Sequence, residues 1–394
     1  MSKPVRVGMI GAGFIAEIHM DAYLRLSDLD VEVVAVAASR MESAQRFAAR
    51  YQIPHAYDDA YALIAREDIN LVDLCVPNVL HEPLGLAAAR AGKHIICEKP
   101  LTGYFGGEEA TKPVGKTPKR LMYARAVAGA REMVRAAKEN DVKLMYAENW
   151  LYSPPIVRAA ELAKASGGTI LEIRAQECHN GSHASYAKSW ALAGGGALLR
   201  LASHPICAAL WLKREEGRWR GGEPIEPVAV MAEVGDLSKV PSFLAEEEHF
   251  IVDDWQDVEN WGSVIITFSD GTRAVILASD IVLGGIEDEL HLIMSNCRID
   301  CDMSHSGMLR AFAPNERVFA EEYIMEKVST KAGWSYPSFD EKYLLGYPAE
   351  IRDFVESVSF DREPRSTGEL GLQVVQVIYG AYQSAEEGRR IALR

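Results

Sequence analysis

The sequence predicts an α/β chain: an N-terminal doubly wound parallel sheet, then an α+β domain built on a large, mainly antiparallel open sheet. Three observations carry this. Over residues 5–148 short, almost wholly apolar runs alternate with amphipathic segments, as strands do when helices cover both faces of their sheet. Later runs lengthen and are joined by a hairpin signal. A chain of 394 residues also exceeds what one core normally supports, so two domains are expected, 1–149 and 150–394.

In order, residues 5–10 form an apolar run that enters Gly11-Ala12-Gly13-Phe14-Ile15-Ala16 and leaves it into a helical pattern over 15–26. Strand-like 31–38 precedes helical 42–51, strand-like 71–77 precedes helical 80–91, and 94–100 is the next strand. After a break at 102–125, residues 126–140 read as a helix and 143–148 as the last strand of the first sheet. The second sheet is read from 228–233, from 264–280 with a turn at Ser269-Asp270-Gly271-Thr272, and from 289–301. A helix over 197–213 follows Gly194-Gly195-Gly196, and helices at 348–359 and 368–388 close the chain.

The glycine turn has a specific chemistry. Gly11 permits the tight strand-to-helix turn, Gly13 lets the backbone approach a pyrophosphate, and the small Ala16 lets the helix pack close to the strand. The N–H groups at the helix start, around Phe14 and Ile15, then point at the phosphates, as in a Rossmann dinucleotide site. At the end of the second strand, where an acid would hold the ribose hydroxyls of NAD, stand Ser39 and Arg40. A hydroxyl and a guanidinium suit a 2′-phosphate, which favours NADP(H), with NAD(H) the alternative. In the other reading Arg40 only starts the next helix and faces water.

A net charge of −14 argues against nucleic acid and anionic membrane surfaces as partners, since both need clustered Lys and Arg. The N-terminus lacks a signal-peptide core and no stretch reaches the ~18 apolar residues of a membrane span, so a cytoplasmic location is expected. Six cysteines without a Cys-x-x-Cys pattern read as buried thiols rather than disulfides or a zinc site.

The glycine turn, Pro77-Asn78-Val79-Leu80-His81, Glu98-Lys99-Pro100, and Gly194-Gly195-Gly196-Ala197-Leu198-Leu199 with His204 beyond resemble, in order and across nearly the whole chain, the motifs of the Gfo/Idh/MocA family. The resemblance implies a Rossmann domain joined to an α/β domain whose open sheet binds substrate on one face and commonly packs on another subunit, hence a homo-oligomer. It also implies an NAD(P)-dependent oxidoreductase acting on a secondary hydroxyl or ketone of a sugar, polyol, sugar acid or glycoside, and a Lys-Pro bond that is often cis.

Oxidising a secondary alcohol needs a hydride acceptor and a base for the hydroxyl proton. Lys99, at the carboxyl end of an apolar strand where open α/β sheets bind ligands, is the candidate base, and Glu98 would fix it or contact the cofactor ribose. Pro77, Asn78 and His81 are placed to line the nicotinamide ribose, with a capping or solvent-facing role the alternative for His81. His204 is the second catalytic candidate. Where the family carries an Asp four residues before this His, the chain has Arg200, and Cys207 follows, all on one face of a continuous helix. Arg200 either contacts a carboxylate or phosphate on the substrate or pairs with an acid such as Glu177.

His183 and Trp190, in a loop rich in groups that hydrogen-bond or stack on polyols, and Asn149 are expected substrate contacts. His179, His183 and His204 lack an acid at ligand-like spacing, so no metal is expected. The insertion at 102–125 opens with Tyr104 and Phe105, which suggest a lid or a wall, and it resembles a branch of the family acting on the C3 hydroxyl of glycosides. The missing helix carboxylate prompts a rival reading, a non-catalytic NADP-binding sensor or scaffold.

Overall fold

The computed structural model describes residues 3–182, 184–304, 309–328 and 330–393. The chain divides into two compact units. One comprises Met1–Tyr104, Ala124–Tyr152 and Gly346–Val375; the other comprises Phe105–Tyr123, Ser153–Leu345 and Gln376–Arg394. The expected boundary near 149 is therefore crossed twice: the insertion groups with the second unit, and a C-terminal segment returns to the first.

The first unit holds β1 (Val5–Ile10), α1 (Phe14–Leu24), β2 (Val31–Ala37), α2 (Met41–Tyr51), β3 (His55–Tyr57), α3 (Ala60–Ile64), β4 (Leu71–Leu74), α4 (His81–Arg90), β5 (His94–Glu98), most of α5 (Lys119–Glu139) and β6 (Leu144–Ala147). Its six strands run parallel in the order β3-β2-β1-β4-β5-β6. Val7, Met9, Leu71, Val72, Leu74, Ile96 and Cys97 have no exposed surface, as expected of strands covered on both faces. Helix α5 starts at Lys119, inside the segment read as a break, because the apolar residues there form one contiguous block, Leu121 to Ala124, which shows no helical period. Strand β3 and helix α3, of 3 and 5 residues, are too short for a periodic signal.

The second unit contains α6 (Pro154–Ser166), β7 (Ile170–Cys178), α7 (Trp190–Ala193), α8 (Ala197–Arg200), α9 (Ser203–Trp219), β8 (Pro227–Gly235), α10 (Pro241–Leu244), β9 (Trp261–Phe268), β10 (Arg273–Ser279), β11 (Glu287–Met294), β12 (Arg298–Asp302), β13 (Ala311–Ala313), β14 (Gly333–Ser335) and α11 (Glu341–Leu344). Helix α12 (Tyr347–Ser359) belongs to the first unit, α13 (Gly368–Glu387) spans the division, and β15 (Ile391–Ala392) ends the chain. The large sheet has the order β12-β11-β7-β10-β9-β8-β15. It is mixed rather than purely antiparallel, because β10 runs parallel to β7. One face alternates Val264, Ile266 and Phe268 with Ala274 and Ile276 and with Leu290 and Leu292, all buried. The start of α9 is buried all round, Ser203 to Leu210 with Ile206 and Leu210 among them, and the helix packs on β7 and β10. Fully burying each such aliphatic side chain contributes roughly 1.5–3 kcal/mol.

The insertion is anchored to this unit. The Gly115 N–H donates to Asp257 Oδ2 at 2.8 Å, the Lys119 N–H to Glu386 Oε2 at 2.8 Å, and a Cβ on Gly194 would stand 2.9 Å from the Phe105 ring. Cys75, Cys97, Cys178, Cys207 and Cys301 are buried free thiols, and Cys297 is exposed. Among the described residues no helix is long and apolar enough to cross a membrane.

Candidate active site

The parallel register of the first unit brings the sequence motifs to one edge. Ile10 is paired with Ala37 on β2 and Leu74 on β4, and Leu74 with Cys97 on β5. The residues that follow these strand ends, Gly11 to Ile15, Ser39 and Arg40, Pro77 and Asn78, and Glu98 with Lys99, therefore line the carboxyl edge where such sheets bind ligands. Gly11 has φ +119°, and a Cβ there would stand 2.0 Å from the Cys75 carbonyl oxygen. Gly13 is the N-cap of α1 in extended backbone, and nothing described lies within 4 Å of where its Cβ would be. That open approach to the first N–H groups of α1 is what a pyrophosphate requires. Ala16 is fully buried against the strand, and Ser39 and Arg40 are exposed.

Lys99 is half-buried and precedes a cis peptide bond to Pro100. Its backbone N–H donates to Glu98 Oε2 at 3.0 Å, so this acid fixes the lysine's main chain. His81, expected to line the ribose, instead turns both ring nitrogens inward, Nδ1 2.8 Å from the Pro100 carbonyl and Nε2 2.9 Å from that of Val76. Burial pushes this imidazole below its ordinary range while the two carbonyls, one after each strand, pull it the other way, and the ring bridges the ends of β4 and β5. Asn78 and Asn149 are both buried, at the ends of β4 and β6.

Beneath this edge lies a polar cluster that sequence reasoning missed. His19, on α1, has no exposed surface; its Nδ1 is 3.0 Å from Asp73 Oδ2 and its Nε2 3.1 Å from Glu98 Oε1. Tyr23 donates its hydroxyl to Asp73 Oδ2 at 2.9 Å. The available signal was a single acid, Asp73, in an otherwise apolar strand. His19, Asp73 and Cys75 are also the one set among the described residues with metal-ligand geometry. His183 lies outside the described residues.

In the second unit the expected continuous helix is broken at Leu201 and Ala202 into α8 and α9, so Arg200 ends one helix and His204 begins the next. Arg200 forms a buried ion pair with Asp280, just beyond β10, and its guanidinium lies over the Trp255 ring, 5.0 Å from the centroid. The pairing acid is thus Asp280 rather than Glu177. Burial raises the Asp280 carboxyl above its ordinary range and Arg200 partly offsets this; His179 Nδ1 is 3.5 Å from its other oxygen. Glu177, on β7, sits 3.8 Å from His204 Nε2, so the acid absent from the helix is supplied by a strand. Trp190 is 2% exposed, with Tyr382 4.9 Å away ring to ring and Lys119 Nζ 4.6 Å from its centroid. The indole expected to stack on a sugar is packed into this unit.

A parallel sheet with a phosphate-binding turn at its carboxyl edge, joined to a large mixed sheet, defines a Rossmann-type nucleotide-binding oxidoreductase. Residues 5–125 match the family model described as "Oxidoreductase family, NAD-binding Rossmann fold", and 159–300 match the Gfo/Idh/MocA C-terminal domain. The chain belongs to the Gfo/Idh/MocA family. It is 24% identical over 389 residues to the myo-inositol 2-dehydrogenase of Thermotoga maritima, covering 99% of this chain and 98% of that one. It is 31% identical over 224 residues to the levoglucosan dehydrogenase of Pseudarthrobacter phenanthrenivorans, covering 54% of this chain and about half, 52%, of that enzyme's length. The crystal structure of GenD2 from gentamicin A biosynthesis in complex with NAD shares the fold, with a TM-score of 0.78 at 24% identity over 100% of this chain and 97% of that one.

Proposed function

We propose that this protein transfers a hydride between a nicotinamide dinucleotide and a secondary hydroxyl or ketone of a sugar, polyol, sugar acid or glycoside. The carrying observation is the line of Gly11, Gly13, Ser39, Arg40 and Lys99 along one sheet edge, set by the register of β1, β2, β4 and β5. The open space at Gly13 fits a pyrophosphate against the start of α1, at Phe14 and Ile15. Ser39 and Arg40, exposed where no acid stands, favour NADP(H) over NAD(H). When bound, the nicotinamide would accept or return the hydride. Lys99 takes the hydroxyl proton in oxidation and returns it in reduction, and Glu98 holds its backbone in place.

His204, with Glu177 to orient its ring and stabilise its charged form, is the second acid/base or orienting group. This pairing also answers the non-catalytic reading, which rested on a missing carboxylate. Matching of Arg200's charge by Asp280 favours neutral hydroxyl-bearing substrates over anions, and Asn149 is a substrate contact. A homo-oligomer through the outer face of the large sheet, where Met231 and Ile265 are exposed, accords with this architecture.

The test is absorbance at the reduced-nicotinamide band when NADP⁺ or NAD⁺ is mixed with a panel of sugars, sugar acids, polyols and glycosides. Turnover is expected with at least one neutral member. Lys99→Met should lower it by about 10²–10⁴ while leaving cofactor affinity little changed. A fully active Lys99→Met enzyme would refute the role given to Lys99.

A further inference from the structure

His19 has a carboxylate on each ring nitrogen and no contact with water. Asp73 Oδ1 and Oδ2 lie 3.1 and 3.0 Å from Nδ1, and Glu98 Oε1 lies 3.1 Å from Nε2. A neutral imidazole has one N–H and one bare nitrogen, so one carboxylate would face a lone pair in a site that water cannot reach. The carboxylates are also engaged as acceptors elsewhere. Asp73 accepts from the Tyr23 hydroxyl at 2.9 Å and from the Cys75 thiol at 3.4 Å, and Glu98 Oε2 accepts the Lys99 N–H at 3.0 Å.

We propose that His19 is a positioning residue for the Lys99 site: a permanently doubly protonated imidazolium that clamps Glu98 Oε1, so that Glu98 Oε2 is held on the backbone N–H of Lys99. The consequence for turnover rests on the reading of Lys99 as the base; the clamp itself does not. Burial works against the charged ring, the adjacent Asp73 carboxylate works for it, and His19 stands raised well above its ordinary range. The groups facing the ring are Asp73 and Cys75 from β4 and its end, Glu98 from β5, Tyr23 from its own helix and Glu350 from α12. Burial pushes the Glu350 carboxyl well up, a charge on His19 works the other way, and Glu98, Glu148 and Asp73 add to the rise; neither Glu350 oxygen has a hydrogen-bond partner among the described residues.

The experiment uses the full chain labelled with ¹⁵N-histidine, the His19 signals being assigned by their loss in His19→Gln. Both ring nitrogens should remain protonated from pH 6 to pH 9. In His19→Gln the Lys99 amide should exchange with solvent at least about tenfold faster, and kcat should fall by about 10–100-fold with the cofactor Kd within threefold. Tyr23→Phe, which removes a donor from Asp73 but leaves Glu98 clamped, should keep both the Lys99 exchange rate and kcat within about twofold. Should His19→Gln fail to fold, Asp73→Asn replaces it, and His19 should then begin to titrate within that pH range. A neutral His19 at pH 7 in the unmodified protein, an unchanged Lys99 exchange rate in His19→Gln, or a stoichiometric metal on His19, Asp73 and Cys75 overturns the clamp. A protonated ring and a destabilised Lys99 amide without turnover of any panel member would instead sustain the clamp and refute the oxidoreductase reading.

Discussion

Replacing Arg200 by Met isolates the buried pair that takes the place of the helix carboxylate. Arg200 is 9% exposed and Asp280 fully buried, so the substitution leaves a carboxylate in the interior without its cation. Breaking a buried pair from one side costs about 3–5 kcal/mol, and loss of the guanidinium over Trp255 adds about 0.5–2 kcal/mol. Together these place the expected total at about 4–5 kcal/mol, roughly a 10 °C fall in Tm. The cost should depend on pH. The Asp280 carboxyl already lies above its ordinary range through burial, and losing Arg200 raises it further. The folded variant then holds a proton that the unfolded chain releases, so its stability falls as pH rises above about 4, by up to ~1.4 kcal/mol per pH unit. The penalty should be smaller at pH 5 than at pH 7. Urea unfolding followed by tryptophan fluorescence at both pH values measures it, and Arg200→Met/Asp280→Asn should recover at least half. A cost below about 1 kcal/mol, no pH dependence, or a double variant as unstable as the single one would refute the argument.

NADPH should bind about tenfold more tightly than NADH, a gap of ~1.4 kcal/mol, and Arg40→Ala should remove most of it in fluorescence titrations. Gly11→Ala should destabilise the first unit by about 2 kcal/mol or more and abolish dinucleotide binding, because φ +119° and the Cys75 carbonyl both exclude a Cβ. Gly13→Ala, with extended backbone and open space, should leave Tm within about 2 °C while weakening dinucleotide binding at least tenfold; equal behaviour of the two variants counts against the phosphate-turn geometry. Glu177→Gln should lower kcat by about tenfold with Tm nearly unchanged, whereas full activity would remove Glu177 as the partner of His204.

The N-terminal unit was largely legible from the chain. Apolar runs in β1, β2, β4 and β5 announce strands buried on both faces, and a glycine turn directly after the first of them announces a phosphate site. The second unit was less legible. Strand β7 alternates Glu172, Arg174 and Gln176 with Ile173 and Ala175, a half-buried strand pattern of which only the end at Glu177 entered the reading, and β11 and β12 read as one run across their turn. The continuity expected of 197–213 failed at Leu201 and Ala202 because Pro205 lacks the N–H that would bond the Leu201 carbonyl and its ring crowds that group, a break signal four residues past the break itself.

From sequence alone came the doubly wound sheet, the dinucleotide turn at Gly11 and Gly13, the absence of an acid at Ser39 and Arg40, and Lys99 at a strand end. Each follows from local spacing: which residues alternate, which turn needs glycine, which residue follows a strand. Only tertiary structure decided the partners. Asp73 and Glu98 stand 54 and 79 residues from His19, and Asp280 stands 80 from Arg200. Strand order and register bring these groups together, and a buried charge takes whichever counter-charge the packing places beside it, which local periodicity does not encode.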